Sequence, residues 1–263
     1  MVINMKVLAI GDIFGRPGRD AVFRVLETMR YEVDFVIANA ENAAHGRGLS
    51  KPVYEELKKA GIDVFTTGNH VWGCPDIANV MRFNSEVIRP ANFEGETPGC
   101  GSCVVTAKNG VKIGVINLIG RTYMQGPVSS PFFSAETEID KLKERADLVF
   151  VDFHAEATSE KEALGYYLDG KVAAVFGTHT HVQTADNKIL PKGTGYITDL
   201  GMTGPSRSIL GVDRNVILQR FLNGMPQKFV VANGPGQFCG AVFDVDTKTG
   251  KTTGIERIYK TFK

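Results

Sequence analysis

Two histidines separated by one residue follow an apolar run, and they are the first candidates for chemistry in this chain. Residues 172–176 are all apolar, which is typical of a strand buried on both faces, and Gly177 ends this run just before His179 and His181. Ligands of open α/β sheets collect beyond the carboxyl ends of the strands. Taken alone, a His-x-His pair is as compatible with hydrogen-bonded loop histidines as with a metal site.

Polar residues at the ends of other apolar runs favour the metal site. Five strand-like runs stop at nitrogen or oxygen donors, which are Asp12, Glu41 with Asn42, Asn69 with His70, His154, and His179 with His181. Because the carboxyl ends of parallel strands meet at one edge of a sheet, we expect these side chains to converge on one crevice. Imidazole, carboxylate and amide donors without a thiolate suit iron, manganese or zinc.

The elements that would position these residues alternate between strands and helices. Helices are predicted over residues 19–30, 52–60, 76–83, 135–145, 159–164 and near 214–221. Hairpins are predicted around Asn109-Gly110 and around Gly250. The first half of the chain is therefore βαβ and the second half more antiparallel, which predicts two sheets packed as a sandwich with helices outside.

Length and charge limit the classes of function. The 263 residues are compatible with one large α/β domain or two small ones, and no boundary is evident. Lys and Arg number 30 against 29 Asp and Glu, so the net charge of +1 gives no argument for an extended nucleic-acid or anionic membrane surface. We expect a small-molecule substrate. With no leader pattern and no apolar stretch of roughly 20 residues, a cytoplasmic protein without a membrane span is expected.

Several other motifs remain open to two interpretations. The glycine-rich turn over residues 15–18 could hold a phosphate on backbone amides or be an ordinary βα turn. Cys100 and Cys103 have the spacing of a zinc or redox pair, but no second pair accompanies them. The irregular stretch over residues 120–133 is a candidate lid. Loop residues that could serve the site or simply face solvent are Arg16, His45, Arg47 and Arg121.

Together the strand-end motifs resemble a known family. Similarity to the calcineurin-like metallophosphoesterases, in order and placement, lies in Gly11-Asp12, Asn39-Ala-Glu41-Asn42, Gly68-Asn69-His70, His154 and Gly177-Thr-His179-Thr-His181. Nearly the whole chain looks like the bacterial subfamily of 2′,3′-cyclic-nucleotide phosphodiesterases. The resemblance implies an α/β fold, a β-sandwich flanked by helices in four αββα layers. It also implies a single metallophosphoesterase domain over residues 1–263, in which inserted loops could form a small cap.

The resemblance further implies two metal ions, with iron or manganese expected. The implied ligands are Asp12, Glu41, Asn42 and His181 for one metal, and Glu41, Asn69, His154 and His179 for the other, so that Glu41 bridges. The chain departs from the wider superfamily at Asp12-Ile13-Phe14, where Asp-x-His is usual, and at Glu41, where Asp is usual. The first departure leaves one site without a histidine, and Asn42 would substitute for it.

The expected function is hydrolysis of 2′,3′-cyclic nucleotides, such as 2′,3′-cyclic AMP, to nucleoside monophosphates by a metal-bridging hydroxide. His70 follows the ligand Asn69 and would point beside the phosphate, where it could protonate the leaving ribose oxygen or stabilise the transition state. Its alternative role is a hydrogen-bond partner behind the metals. Asp199 is expected either to orient a ligand imidazole or to serve as a surface or cap residue.

Alternatives to this function use the same residues. A nuclease or a general phosphatase could be built on the same dinuclear centre. A regulatory protein could bind a nucleotide with little turnover. The sequence leaves open a homo-oligomer, the base preference, and the residues that bind the substrate.

Overall fold

Two β-sheets face each other between layers of helices in the computed structural model, which describes residues 4–263. Residues 1–3, part of the segment expected to lead into the first strand, lie outside the described residues. In chain order the strands are β1 (Asn4–Ile10), β2 (Asp12–Ile13), β3 (Phe35–Asn39), β4 (Val64–Thr66), β5 (Ser102–Thr106), β6 (Lys112–Ile119), β7 (Leu148–His154), β8 (Ala174–Thr178), β9 (Lys188–Ile189), β10 (Gly195–Ile197), β11 (Met202–Pro205), β12 (Gly236–Asp246) and β13 (Lys251–Thr261).

Within residues 4–263, six α-helices connect these strands, and a short 3₁₀ turn over Val71–Gly73 follows β4. The helices are α1 (Gly15–Met29), α2 (Lys51–Ala60), α3 (Ile77–Phe83), α4 (Pro131–Leu142), α5 (Thr158–Tyr167) and α6 (Arg214–Asn223). Each helix expected from the sequence is present, but the glycine-rich stretch after β1 is not a free turn. Asp12 and Ile13 pair in parallel with β11, and α1 already begins at Gly15.

Sheet topology brings the expected strand ends together. The first sheet has the order β2-β11-β12-β1-β3-β4, with β13 on β12, and the second has the order β5-β6-β7-β8-β10-β9. Strands β1, β3 and β4 run parallel, as do β6, β7, β8 and β10. Consequently the segments that follow β1, β3, β4, β7 and β8 are available to build one crevice from both sheets.

Apolar side chains fill the space between the sheets and the space under the helices. Phe150, Phe176 and Phe243 are fully buried between the sheets, where the Phe243 ring centroid lies 6.4 Å from that of Phe150 and 6.1 Å from that of Phe176. Helices α1, α2 and α3 pack on the outer face of the first sheet. Helices α4 and α5 pack on the outer face of the second. These four layers confirm the αββα sandwich expected from the sequence.

The inter-sheet core should dominate stability at Phe243. We expect Phe243→Ala to lower the free energy of unfolding by about 3–5 kcal/mol, because it leaves a cavity that two neighbouring rings line. Urea unfolding measures the change. Tyr31→Ala is the matched control, since Tyr31 is 90% exposed and should change stability by no more than about 0.5 kcal/mol. Equal losses for the two variants would contradict this packing.

Candidate metal centre

One half of the crevice is built around the imidazole of His154, which is completely buried at the end of β7. Its Nε2 atom lies 2.9 Å from Oδ1 of Asn69, 3.0 Å from Nδ1 of His179 and 3.0 Å from Oε1 of Glu41. Of the residues described, Glu41, His154 and His179 have their ligand atoms within 4.8 Å of one another, close enough for one ion. The structure thus brings together the residues expected around one metal.

The other half is built around Asp12, Asn42 and His181. The Nε2 atom of His181 lies 3.7 Å from Oδ1 of Asp12 and 3.4 Å from Nδ2 of Asn42. The same Nδ2 lies 3.4 Å from Oε1 of Glu41. Glu41 therefore contacts both halves, which is the position expected of a bridging carboxylate.

The three histidines that are candidate ligands each present one nitrogen to the crevice and use the other nitrogen outside it. The outer partners are Oγ1 of Thr178 for Nδ1 of His154 (2.9 Å), Oε2 of Glu156 for Nε2 of His179 (3.2 Å), and the carbonyl oxygen of Leu210 for Nδ1 of His181 (3.1 Å). A hydrogen bond of this kind fixes the tautomer and leaves the inner nitrogen without a proton, as metal ligation requires. The arrangement fits imidazoles that hold a cation.

Two buried oxygen atoms in the crevice lack hydrogen-bond partners, which also indicates a site for cations. Oδ1 of Asp12 and Oδ1 of Asn42 are buried and have no hydrogen-bond partner. An unsatisfied buried group costs about 1–3 kcal/mol. Rotating the Asn42 amide by a half turn would exchange its oxygen and nitrogen and aim the oxygen at Glu41 and His181. Metal ions would satisfy both residues.

The electrostatics of the crevice favour a positive charge. Burial alone lowers the pKa of His154, but the carboxylates of Glu41 and Asp12 outweigh it and raise that pKa to about 9. Burial likewise opposes ionisation of Asp12, yet the neighbouring His181 and His154 hold its pKa below the usual range. The buried carboxylates therefore make a positive charge favourable in the crevice, as a bound cation would supply.

The backbone after β8 adopts a sparsely populated conformation. His179 has φ of +98° and His181 has φ of +66°, both in the left-handed region. The backbone N–H of His179 donates to Oδ2 of Asp12 over 3.0 Å, which ties this loop to the first sheet. Each such residue costs on the order of 1–3 kcal/mol and persists only where its surroundings hold it in place.

A buried polar network behind His154 was missed by the sequence reasoning. Thr178 bonds Nδ1 of His154 and donates to Oδ1 of Asp152 over 2.7 Å. The other oxygen of Asp152 accepts from Thr66 and, over 3.2 Å, from Nδ2 of Asn39. Burial raises the pKa of Asp152 to about 6. The available signal was a carboxylate inside the otherwise apolar run that precedes His154.

Asp199 does not contact a ligand imidazole, so the prediction that it orients one directly is wrong. The alternative prediction of a surface position is also wrong. Asp199 is fully buried, and its Oδ2 accepts from the Nζ of Lys161 over 2.7 Å and from the Oγ1 of Thr180 over 2.8 Å. The sequence reasoning also missed Lys161, which is only 1% exposed. No local pattern distinguishes this lysine from its exposed neighbours.

His70 stands beside the crevice rather than inside it. Its backbone N–H donates to Oε2 of Glu41 over 2.9 Å, while its half-buried imidazole has an unpartnered Nδ1. Burial lowers its pKa, and the opposing charge of Glu41 does not offset this effect. The remaining loop candidates, Arg16, His45 and Arg121, are exposed, and Cys100 and Cys103 carry free thiols.

Comparison with solved structures identifies the class of fold. The fold, two sheets flanked by helices, is that of a metallophosphoesterase. The chain superposes on a candidate 5′-nucleotidase of Staphylococcus aureus with a TM-score of 0.60 at 16% identity, covering 99% of this chain and 54% of that one. At this identity the likeness concerns the fold alone.

The family follows from sequence. The chain belongs to the family described as YmdB-like protein, whose profile matches residues 8–258. A Bacillus subtilis relative named 2′,3′-cyclic-nucleotide 2′-phosphodiesterase is 50% identical over 256 residues, which are 97% of this chain and 96% of the relative. A crystal structure described as a novel phosphatase, from Mycoplasma pneumoniae, has a TM-score of 0.92 at 39% identity and covers 100% of this chain and 95% of its own. No described helix combines the length and the apolar character that crossing a bilayer requires.

Gly68 provides a test of the crevice. A Cβ atom at this position would collide with the imidazole of His154 and with Oε2 of Glu41. We expect Gly68→Ala to weaken metal binding at least about tenfold, because both side chains must shift. Titration calorimetry with Mn²⁺ measures it. Gly254→Ala is the control, since its Cβ would approach only the flexible end of Asp244, at 3.1 Å. Unchanged affinity in Gly68→Ala would count against a metal at this place.

Proposed function

We propose that this protein is a metal-dependent phosphodiesterase that hydrolyses 2′,3′-cyclic nucleotides to nucleoside monophosphates. The observation that carries the proposal is the position of Glu41, whose carboxylate contacts both His154 and Asn42 between two sets of donors. The Bacillus subtilis relative supports the substrate class and suggests that the ester to the 2′ oxygen is cleaved, which leaves a 3′-phosphate.

The proposed centre holds two metal ions, with Glu41 shared between them. The ligands would be Asp12, Asn42 and His181 for one ion and Asn69, His154 and His179 for the other. Donors of this kind without a thiolate suit iron, manganese or zinc, and the family resemblance favours iron or manganese. Bound there, the metals would supply Lewis acidity at the phosphoryl oxygens and an activated water.

His70 is the proposed catalytic residue that is not a ligand. Oδ1 of its neighbour Asn69 faces His154, whereas Nδ1 of the His70 ring lacks a protein partner. This ring is therefore available to give a hydrogen bond or a proton to the leaving ribose oxygen. The hydrogen bond from its backbone N–H to Glu41 holds His70 next to the proposed centre.

The proposed function also implies a domain organisation, a partner and a cellular location. Residues 1–263 would act as one domain. The candidate lid over residues 120–133 is irregular only up to residue 130, because α4 begins at Pro131, and this irregular part would form a small cap that Phe93 contacts through its bridge to Val128. The partner would be a soluble cyclic nucleotide in the cytoplasm, without a membrane or an extended nucleic acid, and self-association is compatible with it. The second candidate is a general phosphatase on the same centre, which the Mycoplasma pneumoniae structure favours by its description.

Substrate class is tested by turnover of 2′,3′-cyclic AMP with the manganese- or iron-loaded protein. We expect opening of the cyclic ester to 3′-AMP, with little hydrolysis of a linear dinucleotide or of a nucleoside monophosphate. Product analysis by chromatography distinguishes 2′- from 3′-AMP. Faster hydrolysis of the monophosphate would favour the phosphatase, and binding of metal and nucleotide without any turnover would favour a regulatory protein.

The roles of Glu41 and His70 are separable. Glu41→Ala should lose both metal and activity, because it removes the carboxylate common to both halves of the crevice. His70→Ala should keep its metal and lose about 10²–10⁴-fold in kcat, the usual contribution of a positioned acid or base. Metal content is measured by mass spectrometry beside the kinetics. A His70→Ala protein with full turnover would remove His70 from the mechanism.

A further inference from the structure

A buried ion pair lies directly behind the loop that carries His179 and His181. Lys161 on α5 and Asp199 after β10 are each 1% exposed at the side chain, and their Nζ and Oδ2 atoms are 2.7 Å apart. Neither residue touches a candidate ligand side chain. Their hydrogen bonds to the loop are made with the backbone of Thr178 and with the backbone and hydroxyl of Thr180.

The pair binds the loop on both sides of His179. Lys161 donates from Nζ to the carbonyl oxygen of Thr178 over 2.8 Å. Oδ2 of Asp199 accepts from the backbone N–H of Thr180 over 3.2 Å and from its Oγ1 over 2.8 Å. Oδ1 of Asp199 accepts from the N–H of Gly201 over 2.8 Å, which anchors the carboxylate itself.

The loop segment that the ion pair contacts is also the segment with unfavourable backbone dihedral angles. Thr180 lies between His179 and His181, both with left-handed φ values. Two such residues cost on the order of 2–6 kcal/mol together, so a free loop would relax into commoner conformations. Relaxation would rotate the two imidazoles away from the crevice. Contacts to Thr178 and Thr180 oppose it.

Stability alone is a poor explanation for this pair. Removing two charges from water is costly, and well-packed apolar side chains in place of a buried ion pair are often neutral or stabilising. A lysine and an aspartate at fully buried positions therefore suggest a requirement for one particular conformation. The conformation that these two residues specify is that of the Thr178–His181 backbone.

We propose that Lys161 and Asp199 are positioning residues for the metal centre: they hold His179 and His181 in place before a metal binds. This inference rests on the dinuclear centre of the proposed function. It assigns the pair a role in preorganisation, which lowers the conformational cost of metal binding without contributing a ligand.

The test is the double variant Lys161→Met/Asp199→Leu, which replaces the pair by apolar side chains. Mn²⁺ affinity is measured by competition with a chelator, and the melting temperature of the metal-free protein is measured separately. We expect affinity to fall by about 10–100-fold, as for other residues that orient ligands, with little change in the melting temperature of the metal-free protein. The matched control is Arg30→Met/Asp63→Leu, which removes a 3.1 Å ion pair outside the site. Its Mn²⁺ affinity should equal that of the wild type.

Thr180→Val covers the case in which the double variant does not fold. Thr180 is only partly buried, and this substitution removes the hydroxyl contact to Asp199 while leaving the ion pair intact. We expect a smaller loss of affinity, about threefold to tenfold. Wild-type affinity in either variant would overturn the positioning role alone. A wild-type protein that binds no metal would instead overturn the proposed centre, and the positioning role with it.

Discussion

The rest of the structure depends on one constraint: several buried nitrogen and oxygen atoms that could ligate a metal are held close to one another. Within the crevice, Nε2 of His154 faces the nitrogen of a second imidazole at 3.0 Å and a carboxylate oxygen at the same distance. Lone pairs at such distances repel unless a proton or a cation lies between them. Two packed sheets hold the groups there, and the directions of the pKa values of Asp12 and His154 both indicate that a positive charge is favoured.

Much of this could be read from the sequence because the relevant signals are local. An apolar run that stops at a polar residue marks a strand end, and the topology of parallel strands then brings such ends together. Asp12, Glu41, Asn69, His154 and His179 were found in this way, and the layers of the fold followed from the order of strands and helices. The assignment of ligands to particular metals came from family resemblance, and it remains a proposal.

What the sequence did not reveal depends on contacts between distant residues. Lys161 looks like any helical lysine until its partner is known, and that partner is Asp199, 38 positions away. Asp152 is similar, since its partners Thr66 and Asn39 lie on the opposite sheet. The glycine-rich stretch after β1 was misjudged for a related reason: Asp12 and Ile13 are extended because β11 pairs with them, and local glycine content does not encode that pairing.

The most direct test of the centre is anomalous diffraction from crystals of the manganese-loaded protein. Two anomalous peaks are expected in the crevice. One should lie among Asp12, Asn42 and His181, the other among Asn69, His154 and His179, with Glu41 contacting both. A single peak bound only by Glu41, His154 and His179, or manganese bound elsewhere, would contradict a dinuclear site and the chemistry proposed for it.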